Sequence, residues 1–298
     1  MKKLLLLALV TAITAFITYL LVYNHFTGLF PWSEPDEQAR TQVIVDSKVL
    51  NEERTIIVQL PRNYDSLKRY PVMYVLDGNT EELVNTFQVL SEAGYAPSCV
   101  VVGIPNLSAQ SRQRDLTPPY LKMDIDKADS PPGQGDRFLT FIATELIPFI
   151  ENNYSVSDYR MFSGSSRGGL LVMHSLMFKP ELFQARFCFS SPFWRQDQMI
   201  VSKVREFLNS RDSLSNFIYL CVGEAETENM KTGFEAMTKL FRQTSVPGLT
   251  FESNYTAGAD HQNNTELSMA TAIGKWARYA RKYGQTPSLP ENKVLAGQ

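Results

Sequence analysis

The sequence predicts an α/β fold: a mostly parallel central sheet, helices on both faces and an antiparallel hairpin at the N-terminal side. Three observations carry this expectation. Short apolar runs alternate repeatedly with segments of helical periodicity. Two of the runs, Tyr70–Leu76 (YPVMYVL) and Cys99–Ile104 (CVVVGI), are apolar at nearly every position, as suits strands covered on both faces. A Gly/Ser-rich turn at residues 162–169 joins a short strand to an apolar helix.

The chain has 298 residues, with 29 Lys+Arg against 31 Asp+Glu and a net charge of −2, so charge supplies no argument for a nucleic-acid partner. Its 44% hydrophobic and 20% charged residues are those of an ordinary globular chain, which excludes collagen and argues against disorder. Cys99, Cys188 and Cys221 each lie in an apolar run and read as core thiols.

In chain order, Lys2 and Lys3 precede an almost unbroken apolar stretch from Leu4 to Tyr23. Residues 1–23 are expected to be an uncleaved membrane anchor, with a cleaved signal peptide as the alternative. The two leading lysines, with no further Lys or Arg until Arg40, put the domain on the periplasmic or extracytoplasmic side of a bacterial-type inner membrane, or outside the cell after cleavage. Residues 24–40, with Pro31 and Pro35, read as a linker, residues 41–283 as one domain, and residues 284–298 as a polar tail.

Within the domain, Thr41–Val49 and Thr55–Leu60 read as a hairpin across a polar turn. Residues 80–93 have helical spacing. Residues 105–135, with their prolines and lack of periodicity, read as a long loop, of the kind that is usually functional. Phe138, Phe141, Ile142, Leu146, Phe149 and Ile150 give a helix over 137–154. Strands at 159–162, 187–190, 217–222 and 249–255 alternate with helices at 169–178, 198–209, 229–243 and 264–283.

The chemistry concentrates at strand ends. Gly164-Ser165-Ser166-Arg167-Gly168 is a G-x-S-x-G motif with Ser166 at its centre. Alone the motif is weak, but a strand leads in and a helix leads out, the setting of a nucleophile elbow. A serine hydroxyl needs a base to take its proton. The chain has three histidines. His25 lies in the N-terminal segment. His174 is eight residues past Ser166 on the same helix, about 12 Å along its axis. His261, in the polar loop after the last strand, remains. A carboxylate should orient the imidazole from the loop after the preceding strand, where Glu226 is preferred over Glu224. Arg167 is expected to supply one backbone N–H to an oxyanion, and Gly78 or Asn79 the other. Trp194 and Tyr120 are candidates for the substrate pocket. Arg114-Asp115 reads first as a loop-bracing ion pair, with Arg114 in the substrate pocket as the alternative.

Several segments together resemble the esterase family of α/β hydrolases. They are Pro71-Val72-Met73-Tyr74-Val75-Leu76-Asp77-Gly78, Val102-Gly103-Ile104-Pro105-Asn106, Arg114-Asp115-Leu116-Thr117-Pro118, Phe138 through Tyr154, Gly164 through Gly169, and Gly258 through His261. The family includes siderophore esterases, S-formylglutathione hydrolases, feruloyl and acetylxylan esterases and mycolyltransferases, and the chain looks closest to the siderophore-esterase-like branch. The resemblance spans residues 41–283. It implies an α/β-hydrolase fold and a serine hydrolase that cleaves a small-molecule carboxylic ester with Ser166 as nucleophile, His261 as base and Glu226 as acid. It implies no metal and no organic cofactor. Two features depart from the family pattern. Ser165 and Arg167 flank the serine where the family commonly has His and an apolar residue, and an apolar N-terminal segment is not general there. Acyl transfer on the same residues, and a non-catalytic envelope binding protein of the same fold, are the rival readings.

Overall fold

The computed structural model describes residues 40–78 and 80–282. The expected anchor or signal peptide at 1–23, most of the linker and the 284–298 tail lie outside these residues.

Strands β1 (Arg40–Ser47) and β2 (Glu52–Gln59) form the expected antiparallel hairpin, with Asn51 at φ 55° in the turn. Asn tolerates this left-handed conformation better than most residues. The run YPVMYVL is β3 (Tyr70–Leu76), buried at every position. After it come α1 (Glu81–Glu92), β4 (Val100–Ile104) and α2 (Ala109–Asp115). Next are α3 (Gly135–Phe141), α4 (Ile147–Asn153), β5 (Val156–Ser165) and α5 (Arg167–Phe178). The chain continues through β6 (Ala185–Phe189), α6 (Arg195–Asn209), β7 (Asn216–Gly223), α7 (Glu228–Gln243), β8 (Leu249–Thr256) and α8 (Asn264–Lys282).

The eight strands lie in the order β1-β2-β4-β3-β5-β6-β7-β8. The first two neighbour pairs, β1–β2 and β2–β4, are antiparallel, and the remaining pairs are parallel. Successive β3 side chains face opposite layers. Val72, Tyr74 and Leu76 join a core with Phe138, Leu170, Ile200 and Phe234, so α3, α5, α6 and α7 cover one face. Met73 and Val75 join Phe87, Ile273 and Trp276, so α1 and α8 cover the other. This two-sided burial is why β3 and β4 read as unbroken apolar runs. All three cysteines are free and buried.

The strand read at 159–162 is the longer β5, and two further segments differ from the sequence reading. Residues 105–135 are not wholly a loop, because α2 lies inside them. Its sequence AQSRQRD has no apolar stripe to betray it, and its start is secured by a reciprocal Ser108–Ser111 capping box. The helix expected over 137–154 is interrupted by a π-helical turn at Ile142–Leu146 between α3 and α4. Pro148 follows that turn and has no N–H to give the preceding carbonyl, so the regular ladder is broken there.

Candidate active site

Ser166 sits between the end of β5 and the start of α5 with φ 52° and ψ −121°, a conformation rarely adopted by a side-chain-bearing residue. Its own N–H donates to the Phe189 carbonyl across the β5–β6 boundary (2.8 Å). Two glycines make the turn possible. A Cβ on Gly164 would lie 2.6 Å from the Gly168 carbonyl carbon, and one on Gly169 only 1.8 Å from Ser191 Oγ. Gly168, the second glycine of the motif, is under no such pressure: its nearest neighbour would be Leu76 Cβ at an ordinary 3.4 Å.

Two loops at the same sheet edge complete the arrangement. Past β8, His261 Nε2 lies 3.1 Å from Ser166 Oγ. Its Nδ1 lies 2.9 Å from Oε2 of Glu226, which follows β7. The Glu226 carboxylate is fully covered, and its other oxygen accepts from the Ser190 hydroxyl and the Gly223 N–H. Ser190 in turn accepts from Asn264 Nδ2 (2.7 Å) at the start of α8. The hydrogen bond to Glu226 raises the His261 pKa above its ordinary value, against the lowering effects of burial and Arg112. Burial pushes Glu226 upward, but His261, Ser190 and Gly223 together outweigh it and leave the carboxyl below its ordinary value.

The remaining sequence candidates fall as follows. Glu224 is exposed and accepts from the Gly258 N–H at 3.3 Å, away from the imidazole. Asp260 caps its own loop through the Gln262 and Asn263 amides. His174 Nε2 lies 2.6 Å from Asp136 Oδ1, under the edge of the Tyr120 ring. Tyr120 therefore packs inward, and its hydroxyl is buried without a hydrogen-bond partner. The Trp194 indole N–H donates to Met230 Sδ on α7 (3.2 Å). Arg114 is bound to Asp115 and Glu52, in the ion-pairing role rather than at Ser166. Gly78, at φ 73°, packs so tightly on Pro105 that a Cβ would lie 2.8 Å from its Cγ. Arg167 is the first residue of α5, so its N–H has no carbonyl partner within that helix. Asn79 lies outside the described residues.

Sequence reasoning gave no role to five residues. Arg112, on α2, holds Asp77 side-on through Nε and Nη2 (2.6 and 2.9 Å), and Asn106 donates to the same carboxylate (2.6 Å). Asp77 and Arg112 thus brace the turn that carries Gly78. Ser190 and Asn264 support Glu226 from behind. The Ser108-x-x-Ser111 capping pattern was the one signal for α2, while Ser190 and Asn264 have none without the fold. Among the described residues no cluster of His, Cys, Asp and Glu is placed to hold a metal ion. An open cavity of about 630 Å³ between α7 and β8, lined by Phe234, Arg242 and Tyr255 among others, includes none of the residues around Ser166.

Residues 47–280 match the family model described as "Putative esterase". The chain belongs to this esterase family. It is a carboxylic ester hydrolase with the α/β-hydrolase architecture. It is 28% identical over 221 residues to the ferri-bacillibactin esterase BesA of Bacillus subtilis, covering 66% of this chain and 74% of that one. It is 30% identical over 155 residues to a siderophore enterobactin esterase of Emericella nidulans, covering 46% of this chain and 51%, about half, of that one. Among solved structures, an IroE-like serine hydrolase from Shewanella oneidensis superposes with a TM-score of 0.74 at 24% identity, covering 80% of each chain, and shows the shared fold.

Proposed function

We propose that this esterase works through an acyl-enzyme on a Ser166–His261–Glu226 triad. The observation that carries the reading is the continuous hydrogen-bonded line from Ser166 Oγ through both nitrogens of His261 to Glu226. Ser166 Oγ attacks the ester carbonyl carbon while His261 Nε2 takes the hydroxyl proton. The tetrahedral oxyanion is met by the backbone N–H groups of Arg167 and Gly78. Collapse breaks the bond to the alcohol, whose oxygen recovers the proton from His261. Water then gives a proton to the same nitrogen as it attacks the acyl-serine; the acyl–Oγ bond breaks, His261 returns the proton to Ser166 Oγ, and the acid is released. Glu226 stabilises the imidazolium and holds its tautomer.

We propose a siderophore-type ester as the substrate. The names of the two relatives support this class: one is a ferri-bacillibactin esterase, the other a siderophore enterobactin esterase. Among the described residues no helix is long and apolar enough to cross a membrane. The apolar run from Leu4 to Tyr23 lies outside them, and we propose it as the tether that holds the 41–283 domain on the extracytoplasmic side.

Turnover of an aryl ester and of a catecholate siderophore ester by the full chain and by Ser166→Ala is the test. The reading expects the variant to fall by roughly 10⁴-fold or more. Equal turnover by both proteins would reject it.

A further inference from the structure

Two arginines, Arg167 next to Ser166 in sequence and Arg195 whose charge acts on Arg167, form no ion pair among the described residues. Arg167 directly follows Ser166, and its Nη1 donates to Thr117 Oγ1 (2.6 Å) and to the Met123 carbonyl (2.8 Å). Its Nε and Nη2 have no hydrogen-bond partner among the described residues. Arg195 is 3% exposed; its Nη2 donates to the Lys122 carbonyl and its buried Nε has no partner. Both guanidiniums thus converge on residues 117–124. Neither forms an ion pair among the described residues, whereas Arg112 has Asp77 and Arg114 has Glu52 and Asp115.

That pattern is costly for a protein to maintain. Covered arginines are normally paired with carboxylates. Burial, followed by the nearby charges of Arg195 and Arg112, lowers the Arg167 pKa to about 10 against the pull of Asp124. Burial lowers Arg195 as well, against the pull of Asp124. The excess is local, because the whole chain carries −2. The chemistry it suits is visible one helix away, where Arg112 grips the Asp77 carboxylate side-on through Nε and Nη2. Arg167 has that same edge of its guanidinium unpartnered, and the fork matches a carboxylate in two parallel hydrogen bonds.

We propose that Arg167 and Arg195 form an anion subsite beside Ser166 that selects esters bearing a carboxylate close to the scissile bond. The proposal rests on the hydrolase reading above. Its structural rival is that the two side chains only brace residues 117–124.

Matched esters on the full chain separate these accounts. One pair is the 4-nitrophenyl ester of adipic acid and its methyl-masked twin, with the charge on the acyl side. The other is 4-acetoxybenzoate and its methyl ester, with the charge on the alcohol side. In at least one pair the wild type should prefer the charged member in kcat/KM by about tenfold or more, the scale of a charge-assisted pair. Arg167→Gln should reduce that ratio about tenfold, and Arg167→Lys should reduce it less. In the wild type, raising NaCl from about 0.05 to about 0.5 M should also shrink the ratio, a readout that needs no variant. A wild-type ratio near one in both pairs overturns the subsite while leaving the hydrolase intact. So does a preference that Arg167→Gln leaves in place by slowing both members equally. Failure of the wild type to turn over any of the four esters overturns the hydrolase reading itself.

Discussion

Glu226 holds His261 with one carboxylate oxygen, 2.9 Å from Nδ1, while its other oxygen is held by Ser190 and Gly223. The carboxylate is covered, and the imidazole is partly open towards Ser166. One contact therefore moves two titrations in opposite directions, His261 up and Glu226 down. It also fixes which ring nitrogen faces the serine.

Glu226→Gln should keep the shape of the site and remove the charge. The proposed mechanism expects kcat/KM for a small ester to fall roughly 10²- to 10⁴-fold, mostly in kcat. Steady-state kinetics on the purified variant measures it. An effect below threefold would show that Ser166 and His261 act as a dyad.

The pH profile has a definite sign. His261 serves as base only when neutral, and Glu226 raises its pKa above the ordinary value of 6.5. Activity should therefore rise with pH through an acidic limb above 6.5. In Glu226→Gln the largest raising contribution is gone, so that limb should move to lower pH. The same linkage acts on stability. The His261 contribution is present in full below its unfolded pKa and lost as pH rises through the higher folded value. The Glu226 contribution is present above its unfolded pKa and lost as pH falls through the lower folded value. A limb that does not move in the variant would contradict the pairing.

The glycines of the elbow should differ sharply in tolerance. Gly169→Ala puts a Cβ on Ser191 Oγ, and Gly164→Ala puts one on the backbone of Gly168. Each should cost about 1–3 kcal/mol of stability and most of the activity. Gly168→Ala meets only ordinary contacts and should cost less than about 1 kcal/mol. Thermal unfolding of the three variants ranks them. A ranking with Gly168→Ala as the worst would contradict this turn geometry.

Much of this was legible in the sequence, because burial on both faces writes itself as unbroken apolar runs: β3 was read to its exact bounds from YPVMYVL. Ser166 stood out through glycines flanking a strand–helix junction, and His261 through elimination. The structure then placed Glu226, and not Glu224, against His261. The α2 helix escaped because its seven residues are almost entirely polar, so only its caps mark it. Arg112, Ser190 and Asn264 escaped because each acts through a partner at least 35 positions away that only the sheet topology brings near. The shortest of these separations is the 35 residues between Arg112 and Asp77.

Arg54 is fully buried, with Nη2 on the nearly buried Asp115 carboxylate and its guanidinium over the Phe138 ring. Arg54→Met should leave both Asp115 and Glu52 to Arg114 alone, and destabilise the fold by about 3 kcal/mol. For a domain of this size that is a fall in Tm of roughly 6–12 °C. Adding Asp115→Leu should restore much of the loss, since replacing a buried pair costs far less than breaking it. Melting curves showing no recovery in the double variant would contradict the assignment.

The most direct measurement is covalent labelling of the full chain by a fluorophosphonate, with the modified peptide identified by mass spectrometry. The account predicts one label on Ser166, absent in Ser166→Ala and strongly slowed in His261→Ala. An unlabelled wild type, or a label that persists in Ser166→Ala, would contradict it.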